Sequence, residues 1–252
     1  MSECLEVESQ GSIRIVRLNR PEQLNAASPE LHRRLAEIWP ELATDADARA
    51  VVLTGAGRAF SGGGDLDLIS EMGTDAMLRQ SVLHEAKRIV QGMVDFPLPV
   101  VAAVNGPAVG LGCSLVTLSD VVFIDEKAFL ADPHVSVGLV AGDGGAVTFP
   151  LVMGLLKAKE YLFSGDRIPA EEAVRIGLAN RLSDEGKSLE DALAYAERLA
   201  RQPRRALLGT KRALNAQLSN AFASVLDLAL SEESASFDCP EHRAALAKMR
   251  TR

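Results

Sequence analysis

The sequence predicts an α/β fold, a parallel sheet covered by helices on both faces and followed by a mainly helical last third. Three observations lead there. The runs Ala50–Thr54 and Val100–Val104 are almost wholly apolar, the composition of strands buried on both faces. Segments of helical spacing alternate with these strands, the order expected of a parallel sheet. Beyond about residue 155 the pattern becomes mostly helical.

In chain order, Leu5–Glu8 and Ile13–Leu18 alternate apolar and polar residues around Ser9–Gln10–Gly11, the pattern of a hairpin. Ser28–Pro29 offers a cap and a first-turn proline to a helix carrying Leu31, Leu35, Ile38 and Leu42. Strand Ala50–Thr54 enters a first glycine loop, after which Asp65 and Asp67 are expected to cap a helix. A helix over about Thr74–Asp95 carries Leu78, Val82, Ile89, Val90 and Met93. Strand Val100–Val104 feeds a second glycine loop, a short buried helix over Leu111–Ser119 and a strand at Asp120–Ile124. Ala170–Ile176 is a helix closed by Gly177, and a short strand fits near Ala179–Leu182. Ser188 with Asp191 suggests a capping box for a helix ending at Ala200. From Pro203 onward, Phe222, Val225, Leu226 and Ala229 form one stripe.

Bulk composition narrows the classes of function. The 252 residues are 47% apolar, enough for a sizeable core. A net charge of −7 disfavours broad attraction to nucleic acid. The cysteines (Cys4, Cys113, Cys239) are widely spaced, so neither a disulfide framework nor a thiolate metal site is expected. The acidic N-terminus lacks the look of a signal peptide and no apolar run has membrane-spanning length. The expectation is a cytoplasmic protein with no membrane partner, no metal and no bound prosthetic group. Trp39 and Cys113 read as packing residues.

The chemistry concentrates in the two loops, Arg58–Ala59–Phe60–Ser61–Gly62–Gly63–Gly64–Asp65–Leu66 and Asn105–Gly106–Pro107–Ala108–Val109–Gly110–Leu111–Gly112–Cys113–Ser114. Glycine lets backbone approach a ligand closely, and two such loops on parallel strands can aim two N–H donors at one oxygen. The loops match neither a dinucleotide fingerprint nor a P-loop, and no serine-hydrolase elbow or zinc-protease motif occurs.

Together with Leu18–Asn19–Arg20–Pro21–Glu22–Gln23–Leu24–Asn25–Ala26 and Ala131–Asp132–Pro133–His134, this ordered set resembles the crotonase superfamily, the enoyl-CoA hydratase/isomerase family. The similarity runs from about Leu5 to about Asn215. The resemblance implies a spiral of ββα units over residues 1–195 and a helical oligomerisation region over 196–252. It implies a homotrimer or dimer of trimers, a place in fatty acid metabolism and an acyl-CoA substrate, with CoA present only as part of that substrate. The nucleotide is then expected near Leu24, Asn25, Ala26, Ser61, Gly62, Gly63, Asp65 and Leu66, with Lys211 reaching a phosphate. The backbone N–H groups of Gly64 and Leu111 become the oxyanion donors.

At two decisive positions the chain departs from family hydratases, which carry glutamates there. Here they are Ser114 and His134. Hydration needs an activated water and a proton donor, which leaves His134 and the nearby Asp143 as the proton-transfer candidates. Three readings follow: an enolate-stabilising enzyme on a thioester with little ordinary hydratase activity, a retro-Claisen hydrolase of β-diketones, or a non-catalytic acyl-CoA-binding scaffold. The second is suggested because Pro–His and Gly–Asp–Gly are similar to the 6-oxocamphor hydrolase branch. The second loop, however, has no histidine.

Overall fold

The computed structural model describes residues 3–249. Strands β1 (Leu5–Gln10) and β2 (Ile13–Leu18) form the antiparallel hairpin, Leu5 opposite Leu18. Its turn falls one residue later than the sequence suggests, at Gly11 and Ser12, where Gly11 takes φ +58°. Parallel strands then add in the order β2, β3 (Ala50–Gly55), β4 (Val100–Val104), β6 (Val121–Asp125) and β9 (Arg181–Ser183). A small second sheet joins β5 (Ala108–Val109), β7 (Phe129–Ala131) and β8 (Ile168–Pro169).

A repeating unit explains the pairing of sheets. A strand of the large sheet is followed by a short extended segment beside the small sheet, then by a helix. After β4 that segment is β5 and the helix is α4 (Leu111–Thr117). After β3 it is Ser61–Gly64, bridged to Ala108 on one side and to Ala27 on the other, followed by α2 (Leu66–Met72) and α3 (Ala76–Asp95). After β2 it is the stretch around Ala27, followed by α1 (Pro29–Ala43). Successive units therefore stack their connecting loops side by side, and this places both glycine loops together.

The large sheet is covered on both faces, as the apolar strands require. Val51, Leu53, Ala102 and Val104 point into the main core with Leu35, Trp39, Ile89 and Val90 from α1 and α3. Ala50, Val52, Val101 and Ala103 point the other way, onto Ala192 and Ala196 of α8 (Ser188–Ala200). Residue 195, the expected end of the core, lies inside α8. The capping box expected at Ser188 does not form. The Ser188 N–H is taken by Asp125 (2.8 Å) and the Asp191 carboxylate accepts from Ser183 Oγ (2.6 Å). Tertiary partners thus satisfy the helix start in place of a local cap. The caps expected at Ser28 and Asp65 form, Ser28 Oγ accepting from Leu31 and Asp65 from Asp67 N–H, and Asp75, not singled out from the sequence, accepts from Met77 and Leu78.

The remaining helices are α5 (Gly145–Met153), α6 (Leu155–Ser164), α7 (Ala170–Arg175), α9 (Arg204–Ser236) and α10 (Pro240–Met249). Helix α9 crosses the main core on its Phe222, Leu226 and Leu230 face, against α3 and α5. No helix among the described residues is long and apolar enough to cross a membrane.

Candidate active site

Backbone contact welds the two glycine loops. Phe60 and Ser61 N–H both donate to Pro107 O, and Val109 N–H donates to Ser61 O (2.9 Å). Two glycines permit this approach. Gly63 has φ +90°, and a Cβ there would meet Val109 O at 2.9 Å. A Cβ on Gly112 would fall 2.6 Å from Ser61 Cβ. Asn25 braces the assembly from below. Fully buried at φ +55°, it accepts from Arg20 N–H and donates to Ala56 O and Ala59 O. Ser61 Oγ in turn donates to Asn25 O (3.0 Å).

A mostly apolar cavity of about 170 Å³ opens where the loops meet, lined by Gly62, Gly63, Gly64, Leu66, Gly110 and Leu111. The N–H groups of Gly64 and Leu111 have no acceptor among the described residues, while their neighbours Gly63, Asp65 and Gly110 all donate internally. Leu111 is the first residue of α4, so its N–H lies at the positive end of a short helix.

His134 and Asp143 reach the same cavity, with Leu68, Met72, Val82 and Leu83 supplying apolar wall. His134 Nδ1 lies 2.5 Å from Asp132 Oδ1, and its Nε2 lies 3.8 Å from Asp143 Oδ2. A carboxylate only accepts, so Asp132 fixes a proton on Nδ1 and turns Nε2 toward Asp143. Burial would pull the imidazole down. The Asp132 and Asp143 carboxylates, the Asp132 hydrogen bond and Glu233 outweigh it and hold His134 well above its usual 6.5. Asp143 is itself raised, by burial first and by Asp132, against the opposing pull of His134 and of Ser114, whose Oγ donates to it (2.9 Å).

Sequence reasoning gave roles to neither Asp132 nor Glu233. Glu233 enters the cavity from α9, buried, with Oε2 unpartnered among the described residues. Burial, reinforced by Asp143 and Asp132 and opposed by His134, pushes its carboxyl up to about 8. Gly142 makes the room: a Cβ there would sit 2.3 Å from Glu233 Oε2. A readable signal did exist, because Glu233 continues the stripe of Phe222, Leu226 and Ala229 at a spacing of one turn. Asp132, His134 and Asp143 also bring one donor atom each within 4.8 Å of one another. The imidazole lies between the two carboxylates, Nδ1 on Asp132 and Nε2 toward Asp143.

The expected nucleotide-binding residues separate. Gly62, Gly63 and Leu66 line the cavity. Leu24, Asn25, Ala26 and Ser61 form the supporting turn beneath it, and Asp65 caps α2 and pairs with Arg20 (3.2 Å). Lys211 lies apart from the others. Its side chain is buried outside this cavity, with Nζ on Asp120 Oδ2 (2.6 Å) and Leu98 O (2.8 Å) and beside the Phe96 ring. Those partners tie the ammonium down at the wall of a second cavity, which Arg212 and Asn215 also line.

The same fold and sequence pattern recur in known proteins. Residues 8–246 match the family described as Enoyl-CoA hydratase/isomerase. An enoyl-CoA hydratase/isomerase from Mycobacterium paratuberculosis superposes with a TM-score of 0.95 at 50% identity, over 98% of this chain and 99% of that one. The 1,2-epoxyphenylacetyl-CoA isomerase of Escherichia coli is 33% identical over 213 residues, 84% of this chain and 81% of that protein. The short-chain-enoyl-CoA hydratase of Clostridium acetobutylicum is 30% identical over 232 residues, 92% and 87% of the two chains. With its stacked ββα units and helical C-terminal region, the chain belongs to the enoyl-CoA hydratase/isomerase family, the crotonase superfamily.

Proposed function

We propose that this protein is an enzyme that forms an enolate from an acyl-CoA thioester, with the oxyanion held by the N–H groups of Gly64 and Leu111. One observation carries the reading: both donors lack an internal acceptor and open onto the cavity that holds His134 and Asp143. Preorganised donors of this kind are worth about 2.7–4 kcal/mol each in comparable enzymes. Asp143, steadied by Ser114 and the imidazolium, takes the α-proton, and His134 returns one at the same face. Glu233, kept protonated at neutral pH, keeps the cavity's charge low. Relatives include both a hydratase and an isomerase, and Ser114 and His134 replace the two carboxylates that hydration uses. Isomerisation therefore fits this site better than hydration. We further propose a homotrimer or dimer of trimers. The outer surface of α5 and α6, with Leu156 85% and Phe163 72% exposed, supports burial against another copy.

The test is solvent deuterium exchange at the α-carbon of butanoyl-CoA, read by mass spectrometry. Wild type should exchange, His134→Ala and Asp143→Asn should lose about 10²–10⁴-fold, and crotonyl-CoA hydration should be slow or absent. Rapid hydration would overturn the isomerase preference, and exchange unaffected in both variants would overturn the acid/base assignment. The buried His134–Asp143 pair also suits water attack on a β-diketone. Turnover of a cyclic β-diketone without acyl-CoA binding would favour that second reading. Acyl-CoA binding without exchange or turnover of either substrate would favour the scaffold.

A further inference from the structure

A second imidazole reaches the cavity from a different wall. His32 of α1 is 5% exposed and lines the cavity, with its Nδ1 2.9 Å from Glu85 Oε2 on α3. Glu85 is also approached by Arg33 Nε at 4.0 Å. Because a carboxylate only accepts, the Nδ1 nitrogen carries the proton, and in the neutral ring Nε2 is left as an acceptor. No described residue hydrogen-bonds to that Nε2. Nothing in the proton-handling cluster needs it.

Once an acyl chain displaces solvent from the cavity, that acceptor loses its hydrogen bond unless the ligand supplies one. The surrounding wall gives no alternative, since Leu68, Met72, Val82, Leu83 and Ala86 are all apolar. We propose that His32 is a specificity residue whose Nε2 accepts a hydrogen bond from a hydroxyl on the acyl chain. Its preferred substrates are then acyl-CoAs bearing a neutral hydroxyl a few carbons from the thioester, since His32 lines the same cavity as Gly64 and Leu111. A carboxylate at that place is disfavoured, because Nε2 offers it a lone pair and Glu85 adds negative charge behind the ring. The inference rests on the acyl-CoA reading of the cavity.

Calorimetric titration tests it, using butanoyl-, pentanoyl- and hexanoyl-CoA beside their ω-hydroxy counterparts. Wild type should bind at least one hydroxylated member about three- to tenfold more tightly than its plain partner, the range of one neutral hydrogen bond. His32→Phe should erase that preference while still binding the plain acyl-CoAs. Glu85→Gln, which no longer fixes the proton on Nδ1, should reduce it, and reads the same contact if His32→Phe does not fold. A merely structural His32–Glu85 tie would lower thermal stability in both variants and leave the preference unmoved. Equal binding of every plain and hydroxylated pair by wild type overturns the proposal, as does a preference surviving in folded His32→Phe. Plain acyl-CoAs binding without discrimination would spare the acyl-CoA reading. Failure of every acyl-CoA to bind would overturn both.

Discussion

Ser114 Oγ donates a 2.9 Å hydrogen bond to Asp143 Oδ1 inside the protein, so a hydroxyl on α4 positions an acid in the loop before α5. Asp143 in turn faces His134 Nε2 at 3.8 Å, and Asp132 holds the far side of the ring. Four groups from three separate segments share the proton inventory of one small cavity.

The first prediction follows from that hydrogen bond. A hydroxyl donating to a carboxylate favours its ionised form, so Ser114→Ala should raise the Asp143 pKa beyond its already raised position. A bond to a charged group is worth about 1.5–3 kcal/mol, which corresponds to a shift of about one pH unit or more. The limb of the rate profile that belongs to Asp143 should move to higher pH by that amount. An α-proton exchange profile superimposable on that of wild type would mean that Asp143 does not titrate in the reaction.

Glu233 makes a prediction about stability. Its carboxyl is pushed up to about 8 in the folded protein from an ordinary value of 4.5, chiefly by burial. The folded state then binds the proton more tightly than the unfolded chain. Stability from this group is full below pH 4.5 and declines as pH rises through about 8. Glu233→Gln keeps the neutral shape and removes the titration. Its melting temperature should exceed that of wild type at pH 9, by about 2–4 °C for each kcal/mol recovered, with little difference at pH 5. Parallel melting curves across that range would show that Glu233 is solvated or ionised in the native state.

The fold was legible because its signals are local. Apolar strand runs, the caps at Ser28 and Asp65, and the paired glycine loops each depend on neighbours in the chain. That Gly64, Leu111, His134 and Asp143 would meet around one cavity was legible too, since each sits in or beside a motif. Glu233 and Asp132 were less so. The first lies far along the chain on α9 and reaches the cavity only through helix packing. The second is a motif residue whose role appears only when His134 turns toward it. The capping box at Ser188 failed for the opposite reason. Local pattern suggested it, but Asp125, distant in sequence, claimed the Ser188 N–H, much as Asp120 claims the Lys211 ammonium that the family resemblance had set toward a phosphate.

Lys211 gives the last prediction, and an asymmetry makes it sharp. Its ammonium is buried and its pKa is lowered by burial, with Asp120 opposing that shift. Asp120 is less enclosed, its side chain being 23% exposed, and it also accepts from Val100 N–H (2.7 Å) at the start of β4. Lys211→Met leaves behind a carboxylate that still has a backbone donor and some water, so the cost should be about 1–3 kcal/mol. Asp120→Ala leaves the buried ammonium with no counter-charge and Leu98 O as its remaining acceptor, and it strands a buried strand N–H, so it should cost about 3–5 kcal/mol. Denaturant melts should rank the two variants in that order. Where both remain folded, their affinity for free CoA and its salt dependence should match those of wild type, because neither group faces the cavity. A selective loss of CoA affinity in Lys211→Met at unchanged stability would return this lysine to the phosphate-binding role.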